Sequence, residues 1–527
     1  MERIIADVLV LGEGLAGMTA ALTAAQAGSK VCIAGKGGSA SPFVIGFSAP
    51  VGDEDSPENF VEDMMKAGCG LNDRDLALAF ARRAMDIPKW MDALEVPYEN
   101  TDGKPELMRS LGHTQARLVH QGTKTGPICM EKLVPLLEEA KVHTLHPYAC
   151  MTLLKDGDRV NGAVLMNLDT NDLVYVQCGA VVLCTGGCHI ARRSTYPEQL
   201  TGDGYALAYQ AGATLTDMEF IQHEPLRCAD KRIGMSTTML DKGGMLLNSG
   251  DERFVLRSYP SEGSPTKDEL SHLIAVENLE GRGSPQGGAY VDLTQAPQKT
   301  ADQHEAIYER FLNNGLDLTK VRVEVKPAAH SIMGGVRIDE NCFTGVKGLY
   351  AAGEVTGGLH GASRLGGNAG SETVVMGCTA GREAAAYAAS IEPTSCAIEA
   401  KGFEKWMHAC LKKPCYIPTV SVIRHRVLEA MEQGMGPART QEGITKTLDQ
   451  LDTMSRALGD SGVSHIGQFA SHMAASHLLL TCRIACLGAL NRKESCGSHY
   501  RVDYPEKPVV PQHFDFQKQS GMTIRQE

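Results

Sequence analysis

IIADVLVLGEGLAGMTAALTAAQAG, Ile4 to Gly28, is the stretch on which the fold turns. IIADVLVL (4–11) is apolar without a helical period and reads as one buried strand. GEGLAG follows, then an alanine-rich run that reads as a helix ending at Gly28. KVCIAG (30–35) is a second short apolar strand. Together they form a βαβ unit, with Gly12, Gly14 and Gly17 in the pattern G-x-G-x-x-G at its first turn. Glycine there permits a tight turn, and it lets a pyrophosphate approach the helix N-terminus. The unit reads as Rossmann-like and dinucleotide-binding.

An acidic residue that would bind a ribose hydroxyl is expected at the end of the second strand. The chain instead reads GKGGSAS (35–41), so that bond must come from elsewhere, and this loop reads as a second strip of backbone laid against a cofactor. Two later segments repeat the theme of a buried strand running into glycine: GAVVLCTGG (179–187) and GLYAAGE (348–354). A return to the same sheet so far downstream suits a flavin-binding domain interrupted by insertions better than a nicotinamide domain. TGDGYALAYQAGA (201–213) reads as a glycine turn and a helix. Residues 221–330 are mixed and suit a separate cap, and 391–490 show helical periodicity, as in GITKTLDQLDTMSRAL. The tail from about Val502 is expected to pack along the surface.

At 527 residues the chain exceeds a single core, so two or three domains are expected. It is 43% hydrophobic and 22% charged, with a formal net charge of −12, which gives no reason to expect nucleic acid or an anionic membrane as partner. No run of 18 apolar residues predicts a transmembrane helix, and the N-terminus shows no signal-peptide pattern; a cytoplasmic protein without direct membrane insertion is expected. The 16 cysteines are scattered, the closest pairs being Cys184/Cys188 and Cys482/Cys486. No iron–sulfur or zinc spacing occurs, so no metal is assigned. Buried free thiols are the reading, with Cys32 and Cys378 in the core.

HGASRLGGN (360–368) sets Arg364 among glycines. A guanidinium fork fits a carboxylate or phosphate, and glycine lets backbone lie close to a ligand, so the segment predicts a tightly held anion.

Taken together, GEGLAG, KTG (124–126), CTGG, TGDG, DMEFIQ (217–222), GGMLLN (243–248), DERF (251–254), EGRG (280–283), HSIMGGV (330–336), GLYAAGE, HGASRLGGN and RKESCGSHYRVDYPE (492–506) span nearly the whole chain. In that order they resemble the flavoprotein of the succinate dehydrogenase/fumarate reductase superfamily, which includes L-aspartate oxidase. The resemblance implies an α/β fold: a Rossmann-like FAD-binding domain with an inserted α+β capping domain and a C-terminal helical domain. The corresponding expectation is an FAD-binding domain at 1–220 and 331–390, a cap at 221–330, and a helical domain with tail at 391–527. It implies FAD contacts at Gly12, Gly14, Gly17, Lys36, Gly38, Ser39, Ala149, Gly186, Asp203, Glu354, Ala369 and Gly370. It implies hydride exchange between flavin N5 and a carbon next to a carboxylate held by His330 and Arg364.

Four departures limit it. The loop GSASPFVIGFS has no histidine, so FAD is expected to be non-covalent. The family's substrate histidine in QFHP is replaced by Glu224, with His223 one place earlier; either His223 takes over or the second arm of the substrate is not an anion. Lys267, beside Asp268, stands where the family has its proton-shuttling arginine. Leu240 stands where RGEGG has another arginine. Half of a dicarboxylate site is thus retained (His330, Arg364) and half rewritten (Glu224, Ser236, Thr237, Leu240, Lys267). The expectation is a small substrate with one carboxylate, with Lys267 moving the proton. Alternatives are an L-aspartate oxidase-like activity, or a flavoprotein electron-transfer subunit of a larger iron–sulfur complex. Lacking a cluster motif of its own, the chain is expected to exchange electrons with an iron–sulfur partner or a diffusible carrier.

Overall fold

A computed structural model describes residues 1–110, 112–240, 243–259, 265–416, 420–519 and 521–525 of the 527-residue chain. At its centre is a five-stranded parallel sheet in the order Leu349–Ala351, Ala180–Leu183, Val8–Leu11, Val31–Ala34, His143–Leu145. The two later strand–glycine segments do return to the sheet of the first. The strands are four or three residues long and buried throughout their central members, as a parallel sheet covered on both faces requires.

IIADVLVL is two strands rather than one. Glu2–Ile5 pairs with Leu173–Gln177 in a separate four-stranded sheet, and Val8–Leu11 enters the central sheet. The break falls at Asp7, whose carbonyl accepts from Gly179 and Ala180 and whose carboxylate accepts from the Lys30 amide at 2.6 Å. An aspartate whose carbonyl and carboxylate both take backbone donors interrupts the ladder where periodicity alone shows no interruption.

The Leu15–Gln26 helix lies against the long Asn368–Ala389 helix. Their approach depends on glycine: a Cβ on Gly377 would lie 2.8 Å from the Ala16 carbonyl, and one on Gly381 2.3 Å from that of Ala20. Cys378 sits about 100° round the helix from Gly377. It is accordingly part-exposed, in contrast to Cys32, which is buried as expected.

The cap is an antiparallel sheet in the order Ile221–Cys228, Val323–Ile332, Ala289–Asp292, Met245–Leu247, with helix Lys267–Leu279 against it. It has an apolar cluster of its own, which includes Leu226, Phe254, Ile274, Val291 and Phe311. Thr266 and Glu269 form a reciprocal capping box that fixes where the helix begins, and therefore where Lys267 sits.

Helices Ala397–Lys412, Val420–Gly434, Gln441–Asp460 and Phe469–Asn491 build the C-terminal part. Among the described residues Ile466–Asn491 is the one helix long and apolar enough to cross a membrane, but 67% of its apolar window is buried inside the protein, as in a core helix. Most of the tail from Val502 lies on the surface as expected, but one strand of it does not. His513–Gln517 pairs with Leu215–Thr216 and buries Phe514 and Phe516.

The tail is anchored through Arg492, which is fully buried. It donates to Glu219 at 2.7 Å, to Glu494 at 2.9 Å and to the Gln512 carbonyl at 2.8 Å, and its guanidinium lies 4.6 Å from the Phe220 ring and 4.4 Å from that of Phe514. Deleting one partner of such a pair strands a buried charge, so Arg492→Ala is expected to lower unfolding free energy by about 3–5 kcal/mol, measured by urea denaturation. A loss below about 1 kcal/mol would mean the carboxylates are satisfied without it.

Candidate active site

The first cluster surrounds the glycine turn. A cavity of about 210 Å³ is lined by Gly12, Glu13, Gly35–Ser39, Tyr148, Ala149, Thr185 and Thr201–Asp203. Six of the expected cofactor residues therefore meet there: Gly12, Lys36, Gly38, Ser39, Ala149 and Asp203. Gly12 has φ +120°, and a Cβ on it would lie 2.0 Å from the Cys184 carbonyl. Gly17 serves packing: a Cβ there would sit 1.9 Å from the Gly12 carbonyl. Gly14 faces Ser39 and Ser41, whose hydroxyls stand 2.9 and 3.0 Å from where its Cβ would be.

Lys36 bonds Thr201 at 2.8 Å and pairs with Asp203, which also receives His477 at 3.0 Å. Burial would raise the Asp203 carboxyl, but the Lys36 charge and the His477 bond outweigh it and hold it well below the usual carboxylate range. Glu13 is a residue that the sequence pattern does not single out. It is the one carboxylate of the G-x-G-x-x-G turn, it reaches this cavity, and it bonds His146 at 2.8 Å. Its only sequence signal is its place in GEG, and it can supply the ribose ligand that the second strand lacks.

The remaining expected cofactor residues form a second stretch. Gly186 follows the Ala180–Leu183 strand, and Ala369 and Gly370 open the Asn368–Ala389 helix, where a Cβ on Gly370 would meet the Gly46 carbonyl at 2.7 Å. Glu354 packs against Gly187, where an added Cβ would lie 2.3 Å from its carboxylate oxygen and displace it. Burial raises Glu354 to about 7. Several buried polar atoms here lack protein partners: Thr185 Oγ1, Glu354 Oε1, both amide atoms of Asn368, and Arg364 Nε. Buried polar groups in folded proteins are normally bonded, so these atoms, with the glycine cradle, fit a large polar cofactor such as FAD.

The second cluster lies between cap and sheet. Lys267 Nζ binds both carboxylate oxygens of Glu224, at 3.0 and 2.9 Å. Burial pushes the Glu224 carboxyl up, but Lys267 and the neighbouring His330 bring it below its ordinary value. His330 is lowered to about 4, mainly by burial, and feels the charges of Glu224, Arg364, Lys267 and Arg227. Its Nδ1 lies 2.8 Å from the Thr195 hydroxyl, and Tyr196 stacks parallel to its ring. Asp268, next to Lys267, is held by Ser363 and by Gln222 and is raised to about 6 by burial. Ser363 immediately precedes Arg364.

The loop carrying Arg364 is gripped from both sides. Ala362 donates to the Gly68 carbonyl, and its own carbonyl accepts from the Ser498 amide and hydroxyl. The segment RKESCGSHYRVDYPE thus buttresses the arginine loop, with Cys496 buried in the same apolar cluster as Ala362.

Glu224, Lys267, His330 and Arg364 are therefore brought together; His223 and Ser236 are not. Neighbouring residues of a strand face opposite ways. His223 accordingly lines a separate cavity of about 410 Å³ with Arg193, Lys326 and Met435, where burial lowers it to about 3. Ser236 caps the short turn Thr237–Met239 and bonds Thr238. Leu240 packs against the apolar cluster of the cap. Among the described residues no group of three or more His, Cys, Asp or Glu is placed to hold a metal ion.

If the unpartnered Thr185 hydroxyl awaits the cofactor, Thr185→Val should raise the FAD dissociation constant about tenfold, the ~1–3 kcal/mol of a lost buried hydrogen bond. The melting temperature of the apoprotein should be unchanged or higher, because an unpaired buried hydroxyl has been removed. Flavin fluorescence titration and thermal unfolding of the apoprotein check both; unchanged FAD affinity would place the cofactor elsewhere.

Comparison with known proteins bears on this geometry. A family described as FAD binding domain matches residues 7–369, and one described as fumarate reductase flavoprotein C-term matches residues 424–523. The chain is 32% identical over 519 residues to a fumarate reductase (CoM/CoB) subunit of Methanothermobacter marburgensis, covering 95% of this chain and 94% of that one. It is 28% identical over 527 residues to L-aspartate oxidase 2 of Ralstonia nicotianae, covering 96% and 94%. A solved chain of Escherichia coli quinol fumarate reductase superposes with a TM-score of 0.92 at 27% identity, covering 100% of this chain and 97% of that one. The chain belongs to the succinate dehydrogenase/fumarate reductase flavoprotein superfamily and is an FAD-dependent oxidoreductase.

Proposed function

We propose that this chain is a fumarate reductase-type flavoprotein whose substrate carries one carboxylate beside the reacting carbon–carbon bond. The observation that carries this reading is the Lys267–Glu224 ion pair. His330 is uncharged at neutral pH because burial penalises its cation. Lys267 and Glu224 cancel. Arg364 remains as the one uncompensated cation of the group, matched to one carboxylate. A second carboxylate would have to lie beside Glu224, which is desolvated and anionic, a cost of several kcal/mol.

FAD would be held without a covalent bond by the residues around Gly12, Lys36 and Asp203 and would supply a two-electron hydride carrier. Arg364 and His330 bind and orient the substrate carboxylate. The Lys267 ammonium, fixed by Glu224, delivers a proton to the adjacent carbon in the reducing direction and regains it from solvent, to which its side chain is 37% exposed. Because relatives of this chain are subunits of fumarate reductases, we assign electron supply to an iron–sulfur partner protein. Buried unbridged cysteines such as Cys32, Cys184 and Cys482 suit a reducing cytoplasm.

Three enoates separate the charge requirement: fumarate, its monoamide, and crotonate, each offered with reduced viologen as donor. The monoanions should exceed fumarate in kcat/KM by at least about tenfold, the ~1.4 kcal/mol of a modest charge mismatch. A clear preference for fumarate, or turnover of none of the three, would overturn the reading; oxygen consumption with L-aspartate would support an oxidase instead. On the best acceptor, Lys267→Ala should cut kcat about 10²–10⁴-fold, the range of a general acid. Arg364→Ala should raise KM and cut kcat/KM at least about 100-fold, as loss of ~3 kcal/mol from a charge-assisted pair requires. Near wild-type turnover in both variants would contradict the roles given.

A further inference from the structure

We infer that Thr195 and Tyr196 are positioning residues that present His330 Nε2 to the substrate carboxylate; this rests on the proposed carboxylate site. Residues 193–196 run alongside the cap strand that carries His330. Ala329 donates to the Arg193 carbonyl, and Thr195 donates to the Ala329 carbonyl, both at 2.9 Å. This backbone ladder ends beside the imidazole. The Thr195 hydroxyl then meets Nδ1 at 2.8 Å. The Tyr196 ring lies over the imidazole with centroids 6.0 Å apart and planes within 10° of parallel. The Tyr196 hydroxyl is fixed in turn by Ser331 Oγ at 2.8 Å, and it lies beside the Glu354 carboxyl.

The His330 ring is thus held in rotation by one bond and in tilt by one face. Nε2 has no partner among the described residues. A carboxylate accepts hydrogen bonds and cannot donate them, so the nitrogen that meets it must carry the proton. In a neutral imidazole the other nitrogen is then the acceptor, and the hydroxyl that reaches it is the donor. Thr195 therefore selects the tautomer as well as the angle. The charges around the ring, Glu224 and Lys267 from one side and Arg364 and Arg227 from others, are those already described, and burial keeps the imidazole neutral among them. Tyr196 also links this ring to Glu354, whose second oxygen has no protein partner and faces the cofactor stretch.

The test uses the full-length, FAD-loaded protein and the fastest of the three enoates above. Thr195→Val keeps the shape and removes the hydroxyl; it should raise KM about tenfold or more while kcat falls less than threefold and the bound-flavin spectrum stays the same. Thr195→Ser should restore KM to within twofold of wild type, which a purely structural role would not require. Tyr196→Phe, which keeps the stacked ring, should perturb KM less than Tyr196→Leu. If Thr195→Val matches wild type, or Thr195→Ser is as impaired as Thr195→Val, the inference fails. His330→Ala and Arg364→Ala run in parallel separate the levels: if both impair and Thr195→Val does not, only the positioning role is lost, whereas if neither impairs, the carboxylate site itself is wrong. Nitrogen-15 spectra of histidine-labelled wild-type protein read the tautomer without any change at Thr195. His330, assigned by its loss in His330→Gln, should show the Nε2–H form at pH 7; an Nδ1–H form or an imidazolium would overturn the inference.

Discussion

The ammonium of Lys267 and the carboxylate of Glu224, 2.9 Å apart, set the charge of the site on which the functional account depends. Alone, either group would be out of place. An unpaired glutamate beside a carboxylate substrate repels it, and an unpaired lysine beside Arg364 adds a second cation to a pocket already holding one. Paired, they cancel each other, and Arg364 is left to meet the substrate. The pair is also geometric. Lys267 opens a helix whose start is fixed by a capping box, and Glu224 lies on the neighbouring cap strand, so the cap presents the proposed proton donor as part of a rigid unit.

That unit meets a surface made by chain segments distant in sequence. The arginine loop is clamped between residues near Gly68 and the Cys496–His499 segment, and the imidazole opposite is clamped by residues 193–196. The cofactor cradle is built from the first glycine turn, the GKGGSAS loop and the TGDG turn. Backbone supplies much of the cradle and side chains supply the substrate pocket. This division suits a chain in which the glycines resemble those of the wider superfamily while part of the pocket, Glu224 and Lys267, departs from it.

Legibility in the sequence follows the same division. The glycine turn was readable because a βαβ unit is local and glycine there meets a steric demand that no other residue meets: Gly12 has left-handed backbone, and neither Gly12 nor Gly17 has room for a Cβ. The return of GLYAAGE to the first sheet was readable from its strand-to-glycine pattern. The pairing of Glu224 with Lys267 was not, although both residues stood out as departures, because 43 residues separate them and only the packing of helix on strand brings them together. Thr195 and Tyr196 carried no signal of their own; their meaning lies in which residue is opposite. His223 and Glu224 were equal candidates in sequence, and strand alternation sends one into the active site and the other into a neighbouring cavity. The tail strand was missed because its short, proline-flanked run looks like surface until Leu215–Thr216 offers it an edge.

The central claim is that Lys267 and Glu224 pair with each other and leave Arg364 to bind a single carboxylate, and a crystal structure with FAD and crotonate bound tests it most directly. The account predicts the carboxylate on Arg364 and on His330 Nε2, with Lys267 still bound to Glu224 and its ammonium facing the β-carbon. Lys267 released from Glu224 to bind carboxylate, or a ligand seated away from Arg364 and His330, would contradict it.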